Sequence, residues 1–283
     1  MNTFKYIGMM ILILHSFHVM SAETIRVNKV VGEKEELMFS VLKLVMSKVD
    51  SDVTYIQNDQ ELNTARAIGA VESKTFDVMW GGSTSTYEDK MLPVRIPALK
   101  GLLGHRIFII RAADQEKFNK INTLEDLKRF KPGLGTLWGD TKIMKLAGIP
   151  TVTTIKYPNL FLMLEGGRFD YFPRALHEPW VEVKSRPELN LAIDKHLMLI
   201  YPFAQYFYVE KSNKALHDKI YKGFEMAIAD GSYDKLFFNH PMIKDVLEQA
   251  NLKQRKVIRI KNATMHPDTP FDRKEFWLDL DSL

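Results

Sequence analysis

Apolar and polar residues alternate along "TIRVNKV" (Thr24–Val30), the two-residue period of a strand with one buried face. In "EKEELMFSVLKLVMSKV" the apolar residues Leu37, Val41, Leu44 and Val45 recur on one helical face, and acids crowd the first turn, where the helix dipole favours them. "DVTYIQ" reads as a second strand, "QELNTARAIGAVES" as a second helix, and "TFDVMWGG" as a third strand stopped by two glycines. Such alternation predicts a mainly parallel sheet covered by helices.

The rhythm then changes. "HRIFIIR" (His105–Arg111) is a strand, and "NTLEDLKRF" opens a helix capped by Asn122 or Thr123. "PGLGTLWGDTKIMKLAG" reads as a turn, a short strand, and a glycine-bounded loop leading into a helix that ends at Gly148. A strand "TVTTIKY", a helix "NLFLMLEGG" and a strand "RFDYF" follow. "HLMLIYPFAQYFYVEK" divides into two strands around Pro202. An amphipathic helix, "NKALHDKIYKGFEMAIADG", has a glycine stop. Beyond it lie "SYDKLFFNH", a shorter helix and an extended tail starting at "RKVIRIKN". No internal repeat or flexible linker interrupts the pattern.

The first 22 residues fit none of these elements. Lys5, an apolar run from Ile7 to Leu14, and the small residues Ser21 and Ala22 have the layout of a secretory signal cleaved before about Glu23. The run is far shorter than the roughly 20 residues of a membrane span. The product is therefore expected to be exported and not embedded in a membrane. With no cysteine it has no disulfide or thiolate metal site, so it relies on its hydrophobic core. The net charge of +4, with both signs interspersed, argues against nucleic-acid binding.

Five segments in order carry a resemblance: the Asp77-bearing strand running into "GGSTST", "INTLEDLK", "GTLWGDT" at a strand-to-helix turn, "GRFDYF", and "KGFEMAIADGSYDKLF". In this order, behind a signal peptide, the chain resembles the bacterial periplasmic solute-binding proteins of the amino-acid-binding type, solute-binding family 3. The resemblance implies an α/β fold of two lobes, each a mixed sheet flanked by helices, joined by a two-segment hinge. Lobe one would comprise residues 23–112 and 204–283, and lobe two residues 113–203. The crossings would fall near Arg111–Asp114 and Tyr201–Ala204. A monomer would clamp a small solute between its lobes and hand it to a membrane permease, or present its closed form to a membrane receptor.

Candidate ligand-binding residues follow. "LWGDTKIM" places Trp138, Asp140 and Thr141 at a helix start, where unpaired N–H groups favour an anion such as a carboxylate. Either Asp140 or Thr141 could instead act as a helix cap, and Thr141 matches the family's carboxylate-holding hydroxyl. On the facing element "WGGSTST", Trp80 could stack on a ligand or lie in the core, and Ser83, Thr84 and Ser85 supply hydroxyls. The resemblance also implies an arginine three residues after a threonine here, but counting from Thr84 and Thr86 gives Tyr87 and Asp89; Lys90 and Arg95 are nearby but out of register. Where the family places an acid for the ligand ammonium, this chain has Arg174, with His177 and Glu178 after it. Arg174 could grip a second acidic group of the ligand or brace Glu178 one turn on. Val31-Gly32 lacks the family's aromatic wall, which Tyr157, Phe161 or Tyr201 could replace, and Arg111 at the first expected crossing completes the set.

Enzymatic signals are weak. The eight histidines form no HExxH, and "GGSTST" is not the G-x-S-x-G elbow of hydrolases. Glu165 and Asp170 would be the paired carboxylates of a wall-active glycosidase, but one ends a helix and the other lies in a strand. The expectation is a binding protein with no catalytic residue, cofactor or metal.

Overall fold

A computed structural model describes residues 23–280. The leader expected to be a secretory signal lies outside the described residues. Twelve strands are present among those residues: β1 (Glu23–Val27), β2 (Val53–Gln57), β3 (Val78–Gly82), β4 (Met91–Val94), β5 (His105–Arg111), β6 (Gly133–Gly135), β7 (Val152–Thr154), β8 (Tyr171–Ala175), β9 (Leu191–Ile193), β10 (Leu197–Ile200), β11 (Gln205–Glu210) and β12 (Lys256–Arg259). No helix among the described residues is long and apolar enough to cross a membrane.

Two sheet systems result. In the first, β1 pairs parallel with β2, and β11 lies antiparallel between β3 and β4. The two ladders meet where Asp77 N donates to Arg26 O at 2.8 Å, reinforced by the Arg26–Asp77 ion pair. The helices Glu33–Val49 and Lys214–Ala229 cover one face. Leu37, Met38, Val41, Leu42, Val45 and Met46 are all buried there, each contributing roughly 1.5–3 kcal/mol.

In the second system the order is β12-β10-β5-β8, with β9 also paired to β5. A bridge between Pro132 and Tyr171 joins the parallel pair β6-β7 to β8. The continuous apolar run of "HRIFIIR" is buried along almost its whole length, as expected of a strand covered on both faces.

Several expectations shift. β8 starts three residues later than "RFDYF" suggests, because Arg168 N and Asp170 N are held in a turn by Met163 O and Lys131 O; this brings Pro173 and Arg174 into the sheet. The "NTLEDLKRF" helix is one turn, Leu124–Leu127, closed by a Thr123–Asp126 capping box. β4 and the helix Ser85–Lys90 had no counterpart in the periodicity reading. Pro93 is tolerated in β4 because this strand pairs on one side only.

β5 is hydrogen-bonded to β8, β9 and β10, all of the second system, so the chain has already left the first sheet by His105. The first passage between sheets therefore precedes β5, instead of falling at Arg111–Asp114. The return passage lies between β10 and β11, at Tyr201–Ala204. The two passages touch where Tyr201 N donates to Gly104 O at 3.0 Å. A Cβ on Gly104 would fall 1.8 Å from Tyr201 O, so only glycine permits this approach. β12 adds to the second sheet beside β10, after which the chain returns to bury Phe276 in the first core.

Gly104→Ala should therefore destabilise the fold by about 1–3 kcal/mol or more, read from the midpoint of urea unfolding. Gly69→Ala is the contrasting case: Gly69 is an exposed helix residue with open space around it, and alanine there should add about 0.5–1 kcal/mol.

Candidate functional site

A cleft of about 1240 Å³ opens between the two sheet systems beside the passages. β3 and the helix Ser85–Lys90 form one wall, and the turn after β6 with the helix Gly139–Leu146 forms the other. The walls approach at Gly139, where a Cβ would lie 3.7 Å from Thr84 Cγ2 and 3.3 Å from the Phe203 ring.

The β3 wall is built by local capping. Thr84 is the N-cap of its helix, its hydroxyl accepting from Tyr87 N at 3.3 Å. Ser83 donates to Glu88 Oε1 at 2.8 Å, and Arg95 holds the other Glu88 oxygen at 2.6 Å. Trp80 packs against the first core, its ring meeting Phe207 edge-on at 5.9 Å and its indole N–H donating to Glu35, and it also lines the cleft.

On the opposite wall, Thr141 donates its hydroxyl to Gly135 O at 2.7 Å and so ties the turn to the helix start. Asp140 is buried and accepts from both Tyr201 Oη and Arg106. Arg174 is enclosed. Its Nε and a terminal nitrogen donate to Glu182 at 2.6–3.0 Å, and it pairs with Glu178 at 2.9 Å. The rings of Phe172, Trp138 and Tyr157 surround it with centroids at 4.8, 5.2 and 5.6 Å. Tyr157 Oη also donates to Glu182 at 2.6 Å.

Nine of the expected residues line this cleft: Trp80, Ser83, Thr84, Ser85, Trp138, Asp140, Thr141, Arg174 and Glu178. Arg111 and Tyr157 are not among its lining. Arg111 lies five residues beyond Arg106 along β5, roughly 17 Å away at strand rise. There it donates to Leu164 O and Phe169 O, both at 2.9 Å, and pairs with Asp114 at 2.6 Å. Tyr157 stands behind the wall as part of the Arg174 enclosure. Lys90 and Arg95, the out-of-register cations, are engaged by Glu72 and Glu88. Sequence reasoning missed Arg106, Phe203 and Gln205, all of which line the cleft. A charged residue at the start of an otherwise apolar strand was the available signal for Arg106; nothing local marked Gln205.

The buried charges set the titration. Burial alone would raise the Glu178 pKa, but Arg174, His177 and Arg106 outweigh it and hold the carboxyl down to about 2. Burial would also lower the Arg174 pKa, yet Glu178 and Glu182 hold its guanidinium above the usual arginine range. Burial presses the His177 and His105 imidazoles down to about 4 each.

Between pH 6.5 and 4 the unfolded chain thus binds protons at these histidines that the folded chain refuses, so stability falls as pH drops through that window. The Glu178 contribution is intact above pH 4.5 and is lost as pH falls towards 2. Urea midpoints should therefore decline from about pH 6.5 downward, and His177→Gln should flatten the upper part of that decline. Arg174→Met should destabilise by about 2–4 kcal/mol, because it leaves the part-buried Glu178 and Glu182 without their cation; pairing it with Glu182→Gln should recover part of the loss in the same assay.

No known family profile and no curated protein matches the chain. Solved structures do. An ancestral arginine-binding protein bound to arginine aligns at 21% identity over 77% of this chain and 98% of its own, with a TM-score of 0.53. The amino acid ABC transporter substrate-binding protein AbpA of Streptococcus pneumoniae, bound to L-arginine, aligns at 15% identity over 80% and 95%, with a TM-score of 0.52. The substrate-binding protein of an amino acid ABC transporter aligns at 16% over 77% and 99%, with a TM-score of 0.51. By its fold, this chain is a two-lobed α/β protein of the kind seen in amino-acid substrate-binding proteins.

Proposed function

We propose that the protein captures a small zwitterionic or anionic solute in the cleft and closes over it, then delivers it from the periplasm to a membrane transporter. The observation that carries this reading is the placement of the cleft: both sheet systems line it, at the point where two short passages join them. A solute touching both walls stabilises whichever arrangement brings them together, and the residues of the passages absorb the rotation. The neighbouring folds, whose names refer to arginine binding and to amino acid transport, support the same reading.

The lobe boundaries that fit the pairing are residues 23–100 with 205–253 for one lobe and 105–200 with β12 for the other. Arg174 gives its Nε and one terminal nitrogen to Glu182 and Glu178, and in this reading its other terminal nitrogen is left to an acidic group of the solute. The helix beginning at Gly139 offers backbone N–H groups to an anionic group.

A thermal-shift screen of amino acids, dicarboxylates, polyamines and short peptides tests the proposal. A solute present at 100 times its Kd should stabilise the fold by about 2.7 kcal/mol, which is a rise in Tm of roughly 5–10 °C at this size. A panel without a single shift, together with scattering curves that no solute makes more compact, would refute it.

A further inference from the structure

Several side-chain donors of the cleft walls are spent internally. Ser83 donates to Glu88, Thr141 to Gly135 O, Trp80 to Glu35, and Lys34 pairs with Glu35 at 2.7 Å. Arg174 gives its Nε and one terminal nitrogen to Glu182 and Glu178. Two lining residues carry a buried side-chain N–H with no acceptor. Arg106 is 5% exposed; one terminal nitrogen donates to Asp140 and the other lies 3.6 Å from Glu178, but its Nε has no acceptor on the protein. Gln205 is 2% exposed, and its Nε2 also has none.

Their positions are complementary. Arg106 follows the first passage, on the second sheet, in register with Leu199 of β10. Gln205 follows the second passage, on the first sheet, opposite Gly82, which has no side chain to cover it. Each is buried on its own side of the passages, and both line the same cleft. Buried N–H groups without acceptors are rare and are destabilising until an acceptor arrives.

We propose that Arg106 Nε and Gln205 Nε2 form the floor of the cleft and select a solute bearing a carboxylate or amide carbonyl, which accepts from both. This deepens the solute-binding reading and rests on it. An acceptor held by both residues links the two lobes directly, because one donor moves with each sheet. A solute that carries only ammonium groups offers donors to donors and is rejected there.

Calorimetric titration of the purified protein with succinate, L-glutamine and putrescine tests the assignment, alongside the ligand-free Tm of two variants. Succinate or L-glutamine should bind and putrescine should not. Gln205→Leu removes a donor that lacks a protein acceptor, so its ligand-free Tm should stay level or rise by a few degrees while the Kd weakens at least tenfold. Arg106→Lys keeps a cation for Asp140 but lacks the Nε–H, and should weaken binding similarly. A fall in the ligand-free Tm of Gln205→Leu overturns the proposal, since the amide would then be held within the fold, for example by a buried water. A wild-type Kd in either variant overturns it too, as does binding of putrescine more tightly than both other probes. If none of the three binds, the solute class is wrong whatever the Tm values show. A Tm shift by some other solute of the wider panel would then leave the solute-binding reading standing, and silence across that panel would remove it as well.

Discussion

Two guanidiniums, Arg106 and Arg174, lie buried on adjacent strands in one wall of the cleft, and the wall depends on how they are neutralised. Desolvating an unpaired charge costs several kcal/mol, so each cation requires a carboxylate in good geometry. Asp140 comes from the start of one helix, Glu178 from the cap of another, and Glu182 from one turn into it. The ion pairs therefore anchor both helices to β5 and β8. Phe172, Trp138 and Tyr157 close around Arg174 and exclude water from the pairs. The outcome is a wall whose two buried guanidiniums are paired with carboxylates of its own helices.

That arrangement explains which parts of the site were legible beforehand. The Arg174–Glu178 spacing of four residues suggested a brace, and the brace is present. Glu182, four residues further on, was equally visible as a letter. Its role depends on β8 ending at Ala175 and a helix beginning at Pro179, a register that a three-residue shift conceals. "LWGDT" and the hydroxyls of "GGSTST" announced a turn into a helix, although Gly81 and Gly82 continue β3 instead of stopping it. Arg106 was hidden by its surroundings: "HRIFIIR" reads as a strand whichever residue occupies the second place, and only the paired sheet shows Asp140 and Tyr201 converging on it. Gln205 was harder still, since its significance lies in what it faces.

The fold was legible for the same reason that its first passage was not. Periodicity reports whether a segment is half or fully buried, and β5, β10 and β11 declared themselves through apolar content. It does not report which sheet a strand joins. Reading β5 as the last strand of the first lobe put the passage at Arg111, whereas pairing with β8, β9 and β10 puts it before His105.

The corrected passage has a mechanical consequence. Gly104 and Tyr201 are in backbone contact, so the two passages cannot slide independently and must flex as one short ribbon. The C-terminal segment reaches that ribbon from outside: Asn262 donates to Pro202 O at 2.8 Å, and the Trp277 ring lies where a Cβ on Gly101 would be 2.6 Å away. Leu278 N also donates to Lys100 O at 2.8 Å. In the proposed closure, rotation of the sheets would be confined to the few bonds between Gly101 and Arg106 and between Tyr201 and Gln205. Arg106 and Gln205 stand at the two ends of this ribbon, where a small change in backbone angle most directly alters the separation of their side chains. An acceptor reaching both would therefore act on the hinge at its source, needing no lever arm through the rest of either lobe.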